Sequence, residues 1–268
     1  MKRTYRSALA ICSIAVLACS ALLAQNAPSG VQGGASAAPR RNLTGVWLPV
    51  KGIDGIQPNG ARDMPADGKH EPPYTPAGLA AFKLHKPSNG TTEVGPGEEN
   101  DPGHACDPLG FPRADLFEIR ATQFVQTPEQ LIVLYTYNKL WRSIWSDGRA
   151  LPKDPDPGWF GYSSGKWADD YTFVAQTIGL DERTWVDNSG RPHSDELKVE
   201  EVFHRVSKEG LEISVTLNDP KFYSKPWVAM NKMPFKLAPA GYQFQEMMCS
   251  PSELAEYNRR HANPGGKK

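Results

Sequence analysis

The chain has 268 residues, with 30 Lys+Arg balanced by 30 Asp+Glu, 39% hydrophobic and 22% charged residues. It is long enough to bury a large core, and its zero formal charge excludes the basic excess of a nucleic-acid protein and gives no electrostatic reason to bind an anionic membrane. Gly and Pro number 24 each, above their usual shares of about 7% and 5%. They punctuate strand-like runs, which points to many turns and a β-rich fold.

Lys2, Arg3 and Arg6 precede an uncharged apolar stretch from Ser7 to Leu23, and Ala24 is a small residue suited to signal-peptidase cleavage. Residues 1–24 therefore read as a secretory signal. A membrane anchor is the rival for a stretch of this length, but no charged stop-transfer flank follows. Val16-Leu17-Ala18-Cys19 followed by Ser20 also forms a lipobox, which makes Cys19 a candidate lipid anchor. Residues 25–40 are a Gly/Ala/Ser/Pro-rich tether, and residues 41–268 are expected to form a single β-rich domain. No other stretch is long enough to span a bilayer. Localisation is expected to be periplasmic or secreted.

Within that domain, Arg41 to Val50 reads as a first strand. Residues 51–113 form a long irregular region with one helical candidate, Pro76 to His85, N-capped by Thr75 with Pro76 at N1. A loop this long usually lines or covers something. Residues 117–249 change to period two. Leu131, Val133, Tyr135 and Tyr137 share one face of their run, as do Leu211, Ile213, Val215 and Leu217 of theirs. Such alternation marks half-buried antiparallel strands. Turn signals at Asp147-Gly148, Asp169-Asp170, Lys208-Glu209-Gly210 and Pro239-Ala240-Gly241 separate eight to ten of them. Sequential hairpins favour a barrel or a sandwich. Ser250-Pro-Ser-Glu253 is a capping box that opens a C-terminal helix over residues 250–262.

Cys12 and Cys19 belong to the leader, leaving Cys106 and Cys249. In an oxidising compartment an even pair is most simply a disulfide. The rival is a metal site at His104-Ala-Cys106-Asp107, but no second pair of soft ligands has matching spacing, and no metal or other cofactor is expected. Gly161-Tyr-Ser-Ser-Gly165 matches the G-x-S-x-G nucleophile elbow, with Asp181 and His193 following in the order of an α/β-hydrolase. The segment after it reads as strand rather than helix, so the motif is better explained as a Gly-flanked strand.

Trp185 to Asp195 gathers a histidine, carboxylates and a hydroxyl into one turn-rich stretch. His193 is its candidate general acid/base. Asp147, Asp181 or Asp219 could orient it, and Arg149 or Arg183 could stabilise developing negative charge. His204 alternates with Phe203 and reads as an exposed strand residue. Five of the seven tryptophans, Trp141, Trp145, Trp159, Trp167 and Trp185, crowd into one part of the sequence among charged residues. Indoles are costly to leave wet, so together they suit the wall of a cavity for an aromatic, lipid-like or sugar ligand.

Tyr74-Thr-Pro-Ala-Gly, Cys106-Asp-Pro-Leu-Gly-Phe-Pro-Arg113, Trp145-Ser-Asp-Gly-Arg149, Asp154-Pro-Asp-Pro157, Gly161-Tyr-Ser and Pro192-His-Ser194 together resemble a group of uncharacterised exported bacterial proteins. The resemblance covers most of the chain after Thr44. It implies an exported compartment and no mechanism. Lys139 departs from the group, which often carries His there. Gly45-Val46-Trp47 on the first strand, the meander and the C-terminal helix also look like the lipocalin or calycin pattern. That pattern implies a mainly β, antiparallel barrel, but fold alone supplies no activity. The leading expectation is an exported barrel that holds a small apolar or aromatic molecule in a Trp-lined cavity. The alternative is a hydrolase, lyase or isomerase on a sugar-like or aromatic substrate, using His193.

Overall fold

A computed structural model describes residues 37–50, 60–61, 64–95, 97–117, 120–243 and 245–262. The expected signal (1–24), the candidate anchor Cys19 and the first part of the tether lie outside the described residues. Strands β1 (Gly45–Pro49), β4 (Thr122–Gln126), β5 (Gln130–Tyr135), β6 (Trp141–Trp145), β7 (Tyr162–Trp167), β8 (Thr172–Ile178), β9 (Lys198–Arg205), β10 (Gly210–Asn218) and β11 (Trp227–Leu237) close into a barrel. A two-stranded ribbon, β2 (Gly60–Ala61) and β3 (Met64–Pro65), lies in the long loop with helix α1 (Pro76–Phe82), a 3-10 turn (Pro102–Ala105) and helix α2 (Arg113–Leu116). Helix α3 (Pro251–Tyr257) follows the barrel. The lipocalin-like expectation of a mainly β barrel with a C-terminal helix holds.

The period-two runs became strands because alternate side chains could be buried together. Leu211, Ile213, Val215 and Leu217 point inward from β10, as do Phe173 and Ala175 from β8 and Phe203 from β9. Trp47, Phe124, Met233 and Phe235 complete this side-chain-filled interior. The indole N–H of Trp47 donates to the carbonyl of Leu43 at 2.9 Å, and the Arg205 guanidinium lies 4.6 Å from its ring centre.

One pairing departs from the antiparallel expectation. β6 and β7 run parallel, with Ile144 opposite Ser163. Parallel neighbours need a crossover rather than a hairpin, and residues 146–161 provide it as a strap down the outside of the barrel. The register then sorts the connections. The turns after β4, β7 and β9 lie at one end, whereas the described residues of the β1–β4 connection, residues 179–197 and residues 219–226 gather at the other. Residues 109–117, from Leu109 through α2 to Phe117, are buried and plug this loop end.

Gly161 and Gly165 of the G-x-S-x-G match have structural reasons to be glycine. Gly161 has φ +60°, and a Cβ there would stand 2.4 Å from the Ile178 carbonyl oxygen. A Cβ on Gly165 would meet the Phe173 ring at 2.6 Å. Ser163 lies buried on β7 rather than on a strand-to-helix turn, so no nucleophile elbow forms.

Cys106 and Cys249 form the expected disulfide, with a sequence separation of 143. It fastens the 3-10 turn to the segment before α3, a helix with no buried residue of its own. Ser250 caps α3 by accepting from the amide of Glu253, as the capping box required. Replacing both cysteines with serine is expected to cost up to about 5 kcal/mol by loop-closure entropy. Denaturant unfolding under non-reducing conditions measures that loss.

Candidate functional site

The strap forms one side of a groove with a volume of about 800 Å³. Asp154-Pro-Asp-Pro157 cannot donate to a sheet ladder at its prolines, so this stretch stays off the barrel wall. It touches down at Gly158, whose amide donates to the Gly179 carbonyl at 3.0 Å. Leu151, Pro152, Pro155, Pro157 and Ile178 give the groove partly exposed apolar surface, while Leu180, Leu197 and Val199 border it from the core. Lys153, Asp154, Glu196, Lys198 and Glu200 stand among its polar groups. A smaller groove by Arg149, Ser164 and Lys166 shares Leu151 and Gln176 with it.

The Trp185–Ser194 segment lies fully buried at the loop end. Arg191, with no exposed side-chain surface, holds it there. The guanidinium donates to Asp187 Oδ2 at 3.0 Å, Glu71 Oε1 at 3.2 Å and the Pro65 carbonyl at 3.1 Å. His193 lies inside the same packing. Burial pushes its pKa below the ordinary 6.5 and keeps the ring neutral. Its Nδ1 donates to the Ser194 carbonyl at 3.0 Å, and Nε2 accepts from the Thr184 hydroxyl at 2.7 Å. Asp219 accepts from the Ser194 amide and hydroxyl at 2.6 and 2.7 Å. The sequence reading missed His85. Its ring stacks on Trp185 at 4.5 Å and Nδ1 donates to the Gly190 carbonyl at 2.7 Å. The signal was weak, because a histidine at the end of a short helix has no local pattern tying it to a segment a hundred residues away.

The other residues singled out by sequence are dispersed. Arg149 and Asp147 pair locally at 2.5 Å, as do Arg183 and Asp181, and none of the four is a hydrogen-bond partner of the His193 ring. These guanidiniums cover Trp145 at 3.6 Å and Trp159 at 4.6 Å. Trp167 meets Phe173 edge-on, Trp185 is buried under His85, and Trp141 is 62% exposed. None of the five lines either groove. His104 pairs with Glu99 at 2.7 Å while Cys106 is consumed by the disulfide. No group of three His, Cys, Asp or Glu side chains suited to a metal occurs among the described residues. Lys139 pairs with Glu246 at 3.0 Å. His204 shares a hydrogen bond with Thr172 at 2.9 Å on the outer face of the sheet.

A polar cluster inside the barrel had no sequence forecast. Arg142 of β6 donates to Glu201 of β9, to the Tyr135 hydroxyl at 2.8 Å and to Ser163 at 3.4 Å, and Ser163 shares a hydrogen bond with Thr177 at 2.8 Å. The Phe111 ring of the plug lies 4.0 Å from the guanidinium carbon, and Asp115 of α2 approaches to 3.6 Å. The cluster therefore ties the plug to the wall.

No protein-family model, no curated protein and no solved structure matches this chain. Among the described residues, no helix is long and apolar enough to cross a membrane.

Arg191→Met removes the buried guanidinium that Asp187 and Glu71 both face. The expected cost is about 3–5 kcal/mol, whereas Arg183→Gln on the surface should cost far less. Urea unfolding of the two variants measures the difference.

Proposed function

We propose that this chain is an exported binding protein that holds a small apolar molecule in the groove beneath the 146–161 strap. The observation that carries the reading is the groove itself. Its volume of about 800 Å³ falls within the range of small-molecule sites, about 300–1,000 Å³, and such sites are mostly apolar with a few polar groups to orient the ligand. The leader-like residues 1–24 and the disulfide support an oxidising compartment outside the cytoplasm. Use of the Cys19 lipobox would add a lipid anchor to the same reading. The ligand is aliphatic in preference, since the tryptophans lie elsewhere and Leu151, Pro152, Pro155 and Ile178 supply partly exposed aliphatic surface. An acid–base enzyme centred on His193 lacks comparable support, because burial and two committed ring nitrogens leave no free group to meet a substrate.

N-phenyl-1-naphthylamine, a neutral apolar fluorophore, is expected to bind and brighten. Ile178→Asp on the barrel wall and Leu151→Asp on the strap should each weaken binding at least about tenfold, the cost of about 1.4 kcal/mol, without lowering the melting temperature. Trp141→Ala should leave binding unchanged. Unaltered affinity in both Asp variants would place the ligand elsewhere.

A further inference from the structure

The cluster inside the barrel has an imbalance of charge. One guanidinium, Arg142, faces two carboxyl groups, Asp115 from the plug and Glu201 from β9. The Glu201 side chain has no exposed surface and the Asp115 side chain is 11% exposed. Glu201 Oε1 takes the Arg142 hydrogen bond, but Oε2 is buried with no partner. An unsatisfied buried oxygen is costly, and two ionised carboxylates at one buried cation leave one negative charge uncompensated. Asp115 lies within side-chain hydrogen-bonding reach of Glu201. A single hydrogen on Oε2, donated to Asp115, removes both defects at once. The remaining neighbours do not supply it. The Tyr135 hydroxyl sits against Arg142, and the Ser163 and Thr177 hydroxyls bond each other. Arg113, the one cation of α2, is bidentate on Asp101 at 2.7 and 2.8 Å.

We propose that Asp115 and Glu201 share one proton, and that this proton latches residues 109–117 onto the barrel wall. With it in place, the cluster is neutral and the plug is held through Glu201, Asp115 and the Phe111 ring on Arg142. Its loss to water leaves two carboxylates facing one another beside one guanidinium, and the plug is pushed off the wall. The titratable groups of the cluster are Asp115, Tyr135, Arg142 and Glu201. Burial pushes Tyr135 well above its usual range, so it stays neutral. Burial, with Asp115 adding to it, raises Glu201 from 4.5 to about 8. Because the folded state holds this proton more tightly than the unfolded chain, the stabilisation is complete below pH 4.5 and is lost as pH rises to about 8.

The full, oxidised chain is the sample for the test. Infrared spectra titrated from about pH 6.5 to about pH 9.5 should show a protonated carboxylic acid carbonyl stretch that disappears with a midpoint near 8. Glu201→Gln, which carries a permanent donor to Asp115, should lack that transition. Hydrogen-exchange protection of residues 109–117 should fall at least about tenfold over the same range in the parent chain and stay level in Glu201→Gln. Absence of the acid band near neutral pH overturns the proposal, and so does an equal loss of protection in Glu201→Gln. Should that variant fail to fold, the infrared titration of the parent against Asp115→Asn decides. Loss of the transition in Asp115→Asn supports a shared proton, and an unchanged midpoint sinks it.

Discussion

The parallel pairing of β6 with β7 is the constraint on which the rest of the surface depends. Eight of the nine strand interfaces are antiparallel, and any of these can be closed by a short connection. The ninth cannot. Its crossover must travel the length of the barrel, and its prolines keep it from joining the sheet. The groove is the space left between a strand-length connection and a wall it cannot pair with. The same crossover delivers Trp159 to the loop end, where its carbonyl accepts from the Phe111 amide at 2.9 Å. One topological exception thus shapes the outer groove and helps to hold the plug.

The two ends of the barrel differ accordingly. Short turns finish one end, where Arg40 and Arg41 both reach Asp170 of the β7–β8 turn and Arg205 binds the Asn42 carbonyl at 2.8 Å. Long connections accumulate at the other, and there buried polar groups are concentrated. Arg191, His193 and Asp219 organise one irregular layer, and Arg142 with its carboxyl partners organises the interior beneath the plug. Irregular backbone can be buried only if its polar groups find partners. Those side chains are what allow the Trp185–Ser194 segment to pass through the protein without secondary structure.

Much of this was legible in the sequence because the signals were local. Alternation in Gly210–Asn218 and Gln130–Tyr135 records which face is dry. Thr75 before Pro76 and Ser250 before Pro251 mark helix starts, and both side chains do cap. The disulfide followed from having two cysteines outside the expected leader. The parallel pairing was not legible, since period two is the same for either direction. The interior charges were hidden for a related reason: Arg142 in WRSIW and Glu201 in KVEEVFHR occupy the inward positions of their strands, where alternation leads one to expect apolar residues. Their compensation comes from residues 59 positions apart, Arg142 and Glu201, brought together by register across the barrel. The crowding of tryptophans in sequence was misleading in the same way. Neighbours along adjacent hairpins fan out around a closed wall, so five indoles acquire five different settings.

The disulfide has a topological effect beyond its position near α3. Its loop runs from Cys106 to Cys249, so β4 to β11 are all contained within one covalent ring, and of the barrel strands β1 alone lies outside it. The oxidised chain is a closed hoop of eight staves with a free arm. That arm carries Trp47 and must insert between β4 and β11, the first and last staves of the hoop, to complete the wall. Closing the barrel is therefore a docking event between a ring and its own tail, and the seam lies where the tail's tryptophan is sealed beneath Arg205.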